Sequence, residues 1–90
     1  MNSYDPVLDH RARLEHLRLQ AEERRRQAMV DQCSPEHSHE ARVRAWERLH
    51  QVRLPRSPGH AVLLIVARQT GMALAEVQAV QRQRALPPAA

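Results

Sequence analysis

Proline and glycine cut this chain into pieces of helical length. The prolines stand at positions 6, 35, 55, 58, 87 and 88, and the glycines at 59 and 71. Proline lacks the amide hydrogen that a helix interior needs, and glycine tolerates the backbone that ends a helix. The stretches between these breakers are rich in good helix formers. Tyr4 and Trp46 are the only aromatic residues, so the core falls to Leu, Val, Ile, Ala and Met. Helices packed on helices suit that supply better than a β-sandwich. The expected fold is all-α, a compact three-helix C-terminal body behind a longer charged N-terminal helix.

The first piece, Pro6 to about Gln32, begins on Asp5-Pro6, a cap followed by a residue suited to the first turn. Val7, Leu14, Leu17, Ala21 and Ala28 form a thin stripe at helical spacing, while Glu22 to Arg26 is wholly charged. Such a helix buries little; it projects, pairs with a second copy or frays. Residues 1–33 are thus expected to be an arm or dimerisation element, residues 34–86 the body and residues 87–90 a loose tail.

Within the body, Ser34-Pro35-Glu36 reads as the start of a second helix running to about Arg53. Val43, Trp46, Leu49 and His50 would share its inner side, and Arg42, Arg44, Glu47 and Arg48 its outer one. Trp46, in phase with Leu49, reads as a core anchor before a binding hot spot. Ser57-Pro58-Gly59 repeats the capping pattern and opens a third helix to about Thr70. Its apolar run Ala61 to Ala67 is expected to be central and covered on several sides. A fourth helix, Ala73 to Leu86, would turn Leu74, Val77 and Val80 inward before Pro87-Pro88 stops it.

Bulk properties exclude more than they assign. One cysteine, Cys33, allows no internal disulfide. Residues 1–10 lack the basic-then-apolar order of a secretory signal. The apolar run of seven residues falls far short of the roughly 20 needed to span a bilayer. A cytoplasmic chain with no membrane partner is expected. The formal net charge is +4, with 14 arginines and no lysine. The absence of lysine reads as compositional bias, so the choice of arginine carries little functional weight.

Within Val66 to Val77, Ala67 is a small residue suited to a crossing of two helices, and Gly71 accepts the left-handed backbone of a turn. Val77 is a branched residue able to pack the second helix onto the first, while Val66, Met72 and Val80 suit the inner face. On these residues, positions 63–82 resemble a helix-turn-helix. The resemblance implies a second helix lying in the major groove and reading base edges from its outer face. Ala75, Glu76, Gln78, Ala79 and Arg82 would point outward, Gln78 toward adenine and Arg82 toward guanine or phosphate. Arg68, Arg56, Arg44 and Arg48 would hold the phosphate backbone. Ala73 replaces the usual Ser or Thr cap, with Glu76 placed to help it. The same pattern also fits two helices joined by a glycine turn in any helical bundle.

Other clusters have plainer readings. Cys33, His37 and His39 are ligand types that zinc or nickel accepts, but His37 and His39 are two apart at a helix start and diverge. Metal and cofactor are therefore not expected. Cys33 near a helix start, with His37 four along, has the elements of a nucleophile and base. No acid orients that base, and an inter-helix turn is the simpler account. Arg24, Arg25 and Arg26 suit phosphate, yet Glu22 and Glu23 lie at pairing distance along the helix. No acid–base cluster or phosphate-cradling glycine loop marks an enzyme. The expectation is a small non-enzymatic binding module, helix-turn-helix-like and directed at duplex DNA. The alternative is a protein-interaction module without DNA binding, including a homodimer through residues 6–32.

Overall fold

The computed structural model describes residues 5–87. The tail expected at 87–90 lies, from 88 onward, outside the described residues, as do residues 1–4 of the arm. Every regular element described is a helix: α1 (Pro6–Gln32), α2 (His39–His50), α3 (His60–Thr70) and α4 (Leu74–Ala85).

Asp5 caps α1, its carboxylate accepting from the Val7 amide at 3.0 Å. Arg13 pairs with Asp9 at 2.7 Å, Arg18 with Glu15 and Glu22, and Arg26 with Glu23 at 2.5 Å. The last turns of α1 pack antiparallel against α2. Ala28 and Gln32 are buried there, and the Arg25 guanidinium donates to the Leu49 carbonyl at 3.4 Å. The earlier turns continue past the end of α2 into solvent. The radius of gyration is accordingly 18.8 Å and the long dimension 64 Å, against a radius of about 12 Å for a compact chain of this length.

The second helix begins later than Ser34-Pro35 predicts. The Ser34 hydroxyl is committed to the preceding helix, donating to the Val30 carbonyl at 2.8 Å. Ser38 is the cap instead, its hydroxyl accepting from the Ala41 amide at 3.1 Å. The helix also stops short of Arg53. Gln51 turns left-handed (φ 54°), and the Val52 amide bonds back to the Glu47 carbonyl at 3.1 Å. That closure satisfies the last carbonyls of α2 before Pro55 could disrupt them.

The core joins Val43 and Trp46 of α2, Leu54 of the connector between α2 and α3 (residues 51–59), Val66 and Ala67 of α3, Met72 of the turn, and Val77 and Val80 of α4. The Trp46 indole N–H donates to Gln69 Oε1 at 2.7 Å, and its ring lies 4.5 Å from that of His50.

α3 departs from expectation in two ways. Its cap is Gly59, with no side-chain hydrogen bond, so Ser57 does not repeat the role seen at Ser38. Its apolar run is not buried throughout: Val66 and Ala67 are, but Val62, Leu64 and Ile65 are 36%, 46% and 49% exposed. The cause is the path of α1. Helices α2 and α4 cover only the side of α3 carrying Leu63, Val66, Ala67 and Thr70. α1 packs chiefly on α2, so no element among the described residues reaches the other side of α3.

Candidate functional site

The turn between α3 and α4 is the feature the sequence singles out. Gly71 adopts φ 73°, and the Met72 amide donates to the Ala67 carbonyl at 3.0 Å. Gly71, Met72 and Ala73 suffice to turn the chain through 115° between the two helices. Ala67, Met72 and Val77 are buried at this corner. Thr70 is fully buried beneath it, its hydroxyl donating to the Val66 carbonyl at 2.7 Å. Arg42, expected on the outer side of α2, is turned inward. It donates to the Gln32 carbonyl at 3.0 Å and the Thr70 carbonyl at 2.5 Å, closing the C-terminal ends of α1 and α3 together.

Beyond the corner, Ala73 supplies no capping side chain, and Glu76 accepts its amide at 2.7 Å. The other Glu76 carboxylate oxygen meets His39 Nε2 of α2 at 2.5 Å. Glu76 therefore faces back to its helix start and to α2, not outward. Val77, Val80 and Gln81 are buried. Ala75, Ala79 and Arg82 are exposed and Gln78 is half-buried. Arg68, on α3, is also exposed. No hydrogen bond or ion pair occupies Arg68 or Arg82 among the described residues.

A second concave surface lies where α2 and α4 end against the connector. It is a cleft of about 930 Å³ whose charged lining is Arg44, Arg48, Arg53, Arg56 and Arg84, with Glu40 and Glu47. One partly buried network holds its wall. Arg84 forks onto Glu47 at 2.8 and 3.1 Å, and the Glu47 carboxylate also accepts the Leu54 amide at 2.8 Å. Gln81 donates to the Pro55 carbonyl at 2.9 Å. These bonds pin Leu54 and Pro55, and so hold Arg53 and Arg56 on either side of them at the cleft. Burial pushes the Glu47 carboxyl up, but the Arg84 bonds, the Leu54 amide and the charges of Arg84 and Arg53 together hold it below the ordinary glutamate range. Helical periodicity places Glu47 on an outer face, so its packing role leaves no periodic signal.

Of the arginines read as holding the phosphate backbone, Arg44, Arg48 and Arg56 thus meet at one cleft, whereas Arg68 lies on the outer part of α3; Gln78 and Arg82, read as facing bases, lie on α4. Arg44 is partly engaged by Glu40 at 2.8 Å and Arg48 by Asp31 at 3.5 Å. Arg56 has no such partner among the described residues. The Asp31 carboxyl is itself held low, first by the Gln27 amide, against some burial, and further by His37 and Arg48.

The histidine and cysteine cluster is dispersed. His37 meets Asp31 at 3.3 Å, His39 meets Glu76, and the Cys33 thiol points to the Gln69 carbonyl at 3.5 Å. Among the described residues, no three His, Cys, Asp or Glu side chains converge as metal ligands. No single described helix is long and apolar enough to cross a membrane.

Charge is unevenly distributed along the chain. Residues 5–33 carry six arginines and six carboxylates, whereas residues 34–87 carry eight arginines and four glutamates. The whole formal charge of +4 therefore falls within residues 34–87. No protein-family model matches this chain, and no curated protein or solved structure matches it either.

Proposed function

We propose that the body is a nucleic-acid-binding module that engages duplex DNA through α4 and the arginine cleft. The observation that carries this reading is the placement of charge. All of the net positive charge lies on the body, and five of its arginines, against two glutamates, line one pinned cleft. Arginine forks match phosphate oxygens, and released counterions drive such binding. The three-residue glycine corner and its 115° turn support a helix-turn-helix reading, for which helices at roughly 90–120° are usual. The outer face of α4 is uncovered, which the reading requires. Its residues are few for base discrimination: Arg82 and Gln78 reach bases, while two alanines allow close approach. Affinity should therefore come mainly from phosphate, with modest sequence preference.

A gel shift on mixed-sequence duplex tests this. The full chain should retard DNA at low salt. Arg82→Ala should weaken binding most on a preferred sequence, and Arg56→Gln should weaken it evenly on all. No retardation at the lowest salt would remove the reading.

A specific observation favours a second reading, protein interaction. Val62, Leu64 and Ile65 leave an apolar side of α3 open, and open apolar surface commonly marks a docking site. A defined complex with a protein partner, disrupted by Ile65→Glu and accompanied by no DNA binding, would favour it over the first.

A further inference from the structure

We infer that this chain pairs with a second copy through α1, the two helices running antiparallel about Leu14 and Leu17. The inference stands on its own and does not need the DNA reading. Its basis is the continuity of one helix side. The side of α1 seated on α2 carries Arg25, Ala28 and Gln32. Followed back at 3.6 residues per turn, that side continues as Ala21, Leu17, Leu14, His10 and Val7. Only the end of the body at Leu49 to Gln51 interrupts its cover. Leu14, Leu17 and Val7 are then 53%, 57% and 61% exposed. A helix side already seated on α2 at its C-terminal end, through Arg25, Ala28 and Gln32, carries bare Leu17, Leu14 and Val7 at the other.

A second copy fits this seam for three reasons. First, the seam is self-complementary. Antiparallel pairing about the point midway between Leu14 and Leu17 places Leu14 opposite Leu17 of the second copy. In the same register His10 falls opposite Ala21, and Val7 opposite Arg24, whose methylene stem can cover it. Second, residues 5–33 carry as many carboxylates as arginines, so two arms meet without net repulsion, while the antiparallel order keeps the two positive bodies at opposite ends. Third, a lone helix projecting into water is poorly stabilised by its own turns, and exposed ion pairs add little. A partner along the seam supplies the missing packing. The crevice where α1 leaves α2, about 600 Å³ and bounded by Ala21, Ala28 and Leu49, would receive the start of the partner's arm.

The test measures mass by light scattering on the full chain across a concentration series. Wild type should approach twice 10.4 kDa. The double variant Leu14→Glu, Leu17→Glu should weigh as a monomer while retaining the Trp46 emission of a folded body. For orientation, chains carrying Val7→Cys and Arg24→Cys, each with Cys33→Ser, are mixed and oxidised. An antiparallel pair gives the mixed disulfide, and a parallel pair links each variant to itself. A wild-type mass of one chain at all concentrations overturns the inference. So does a dimer that persists in the double variant, which would move the interface to the open side of α3, and so does self-linking of the cysteine variants.

Discussion

Arg84, near the end of α4, grips Glu47 of α2 with both terminal guanidinium nitrogens, and the two side chains retain only 21% and 11% of their exposure. The pair ties two helices that share no turn, and through the Leu54 amide it also fixes the connector. Glu47→Gln should destabilise the fold by about 2 kcal/mol at neutral pH, the usual cost of removing a charged hydrogen bond. The pH dependence has a definite sign. The Glu47 carboxyl is held below its ordinary range in the folded chain. Its contribution is therefore complete above the unfolded pKa of about 4.3 and is lost as pH falls through the lower folded value. Urea midpoints of wild type and variant should converge in acid. An unchanged gap down to the acid limit would show that the carboxylate charge does not matter.

Trp46 and Ile65 divide the real core from the apparent one. Trp46 is 7% exposed and Ile65 49%. Trp46→Ala should cost about 3–5 kcal/mol, enough to threaten the fold. Ile65→Ala should lie within about 0.5 kcal/mol of wild type, as for other surface changes. Thermal melts on the monomeric Leu14→Glu, Leu17→Glu background remove any contribution from pairing. A large drop at Ile65 there would mean that α3 is covered on its open side.

The two glycines should respond in opposite directions. Gly71 has φ 73°, and a Cβ there would meet only the Arg42 guanidinium at 3.7 Å. Gly71→Ala is therefore not a clash but a strained backbone, costing about 1–2 kcal/mol. Gly59 caps α3 at φ −63° with nothing within 4 Å of a new Cβ. Gly59→Ser adds the missing cap and should stabilise by roughly 0.5 kcal/mol. Denaturant midpoints for the two variants should move apart; a matching shift would place Gly71 outside its corner role.

How far the sequence could be read follows from what kind of signal each feature leaves. Breakers and glycine corners act locally, so the start of α1 and the turn at Gly71 are legible from Pro6 and Gly71 themselves. The start of α2 is not, because Ser34 and Ser38 both offer a capping hydroxyl, and only the path of α1 decides that Ser34 bonds backward to Val30. The cover of α3 depends on which neighbour α1 packs against, a tertiary choice that an apolar run cannot encode. The inward turns of Arg42 and Glu47 are hidden for the same reason. Each is a charged residue whose partner lies far along the chain, at Thr70 and Arg84. Candidate arginines are visible as residues, but their gathering at one cleft depends on the pinned connector.

The most direct test of the central claim is the salt dependence of duplex binding, followed by fluorescence anisotropy, for wild type and for the Arg53→Gln, Arg56→Gln variant. The logarithm of affinity should fall linearly with the logarithm of salt concentration. The variant's slope should be shallower by about 2, one for each phosphate that is no longer neutralised. Binding that ignores salt, or a variant with the wild-type slope, would contradict a phosphate-binding role for the cleft.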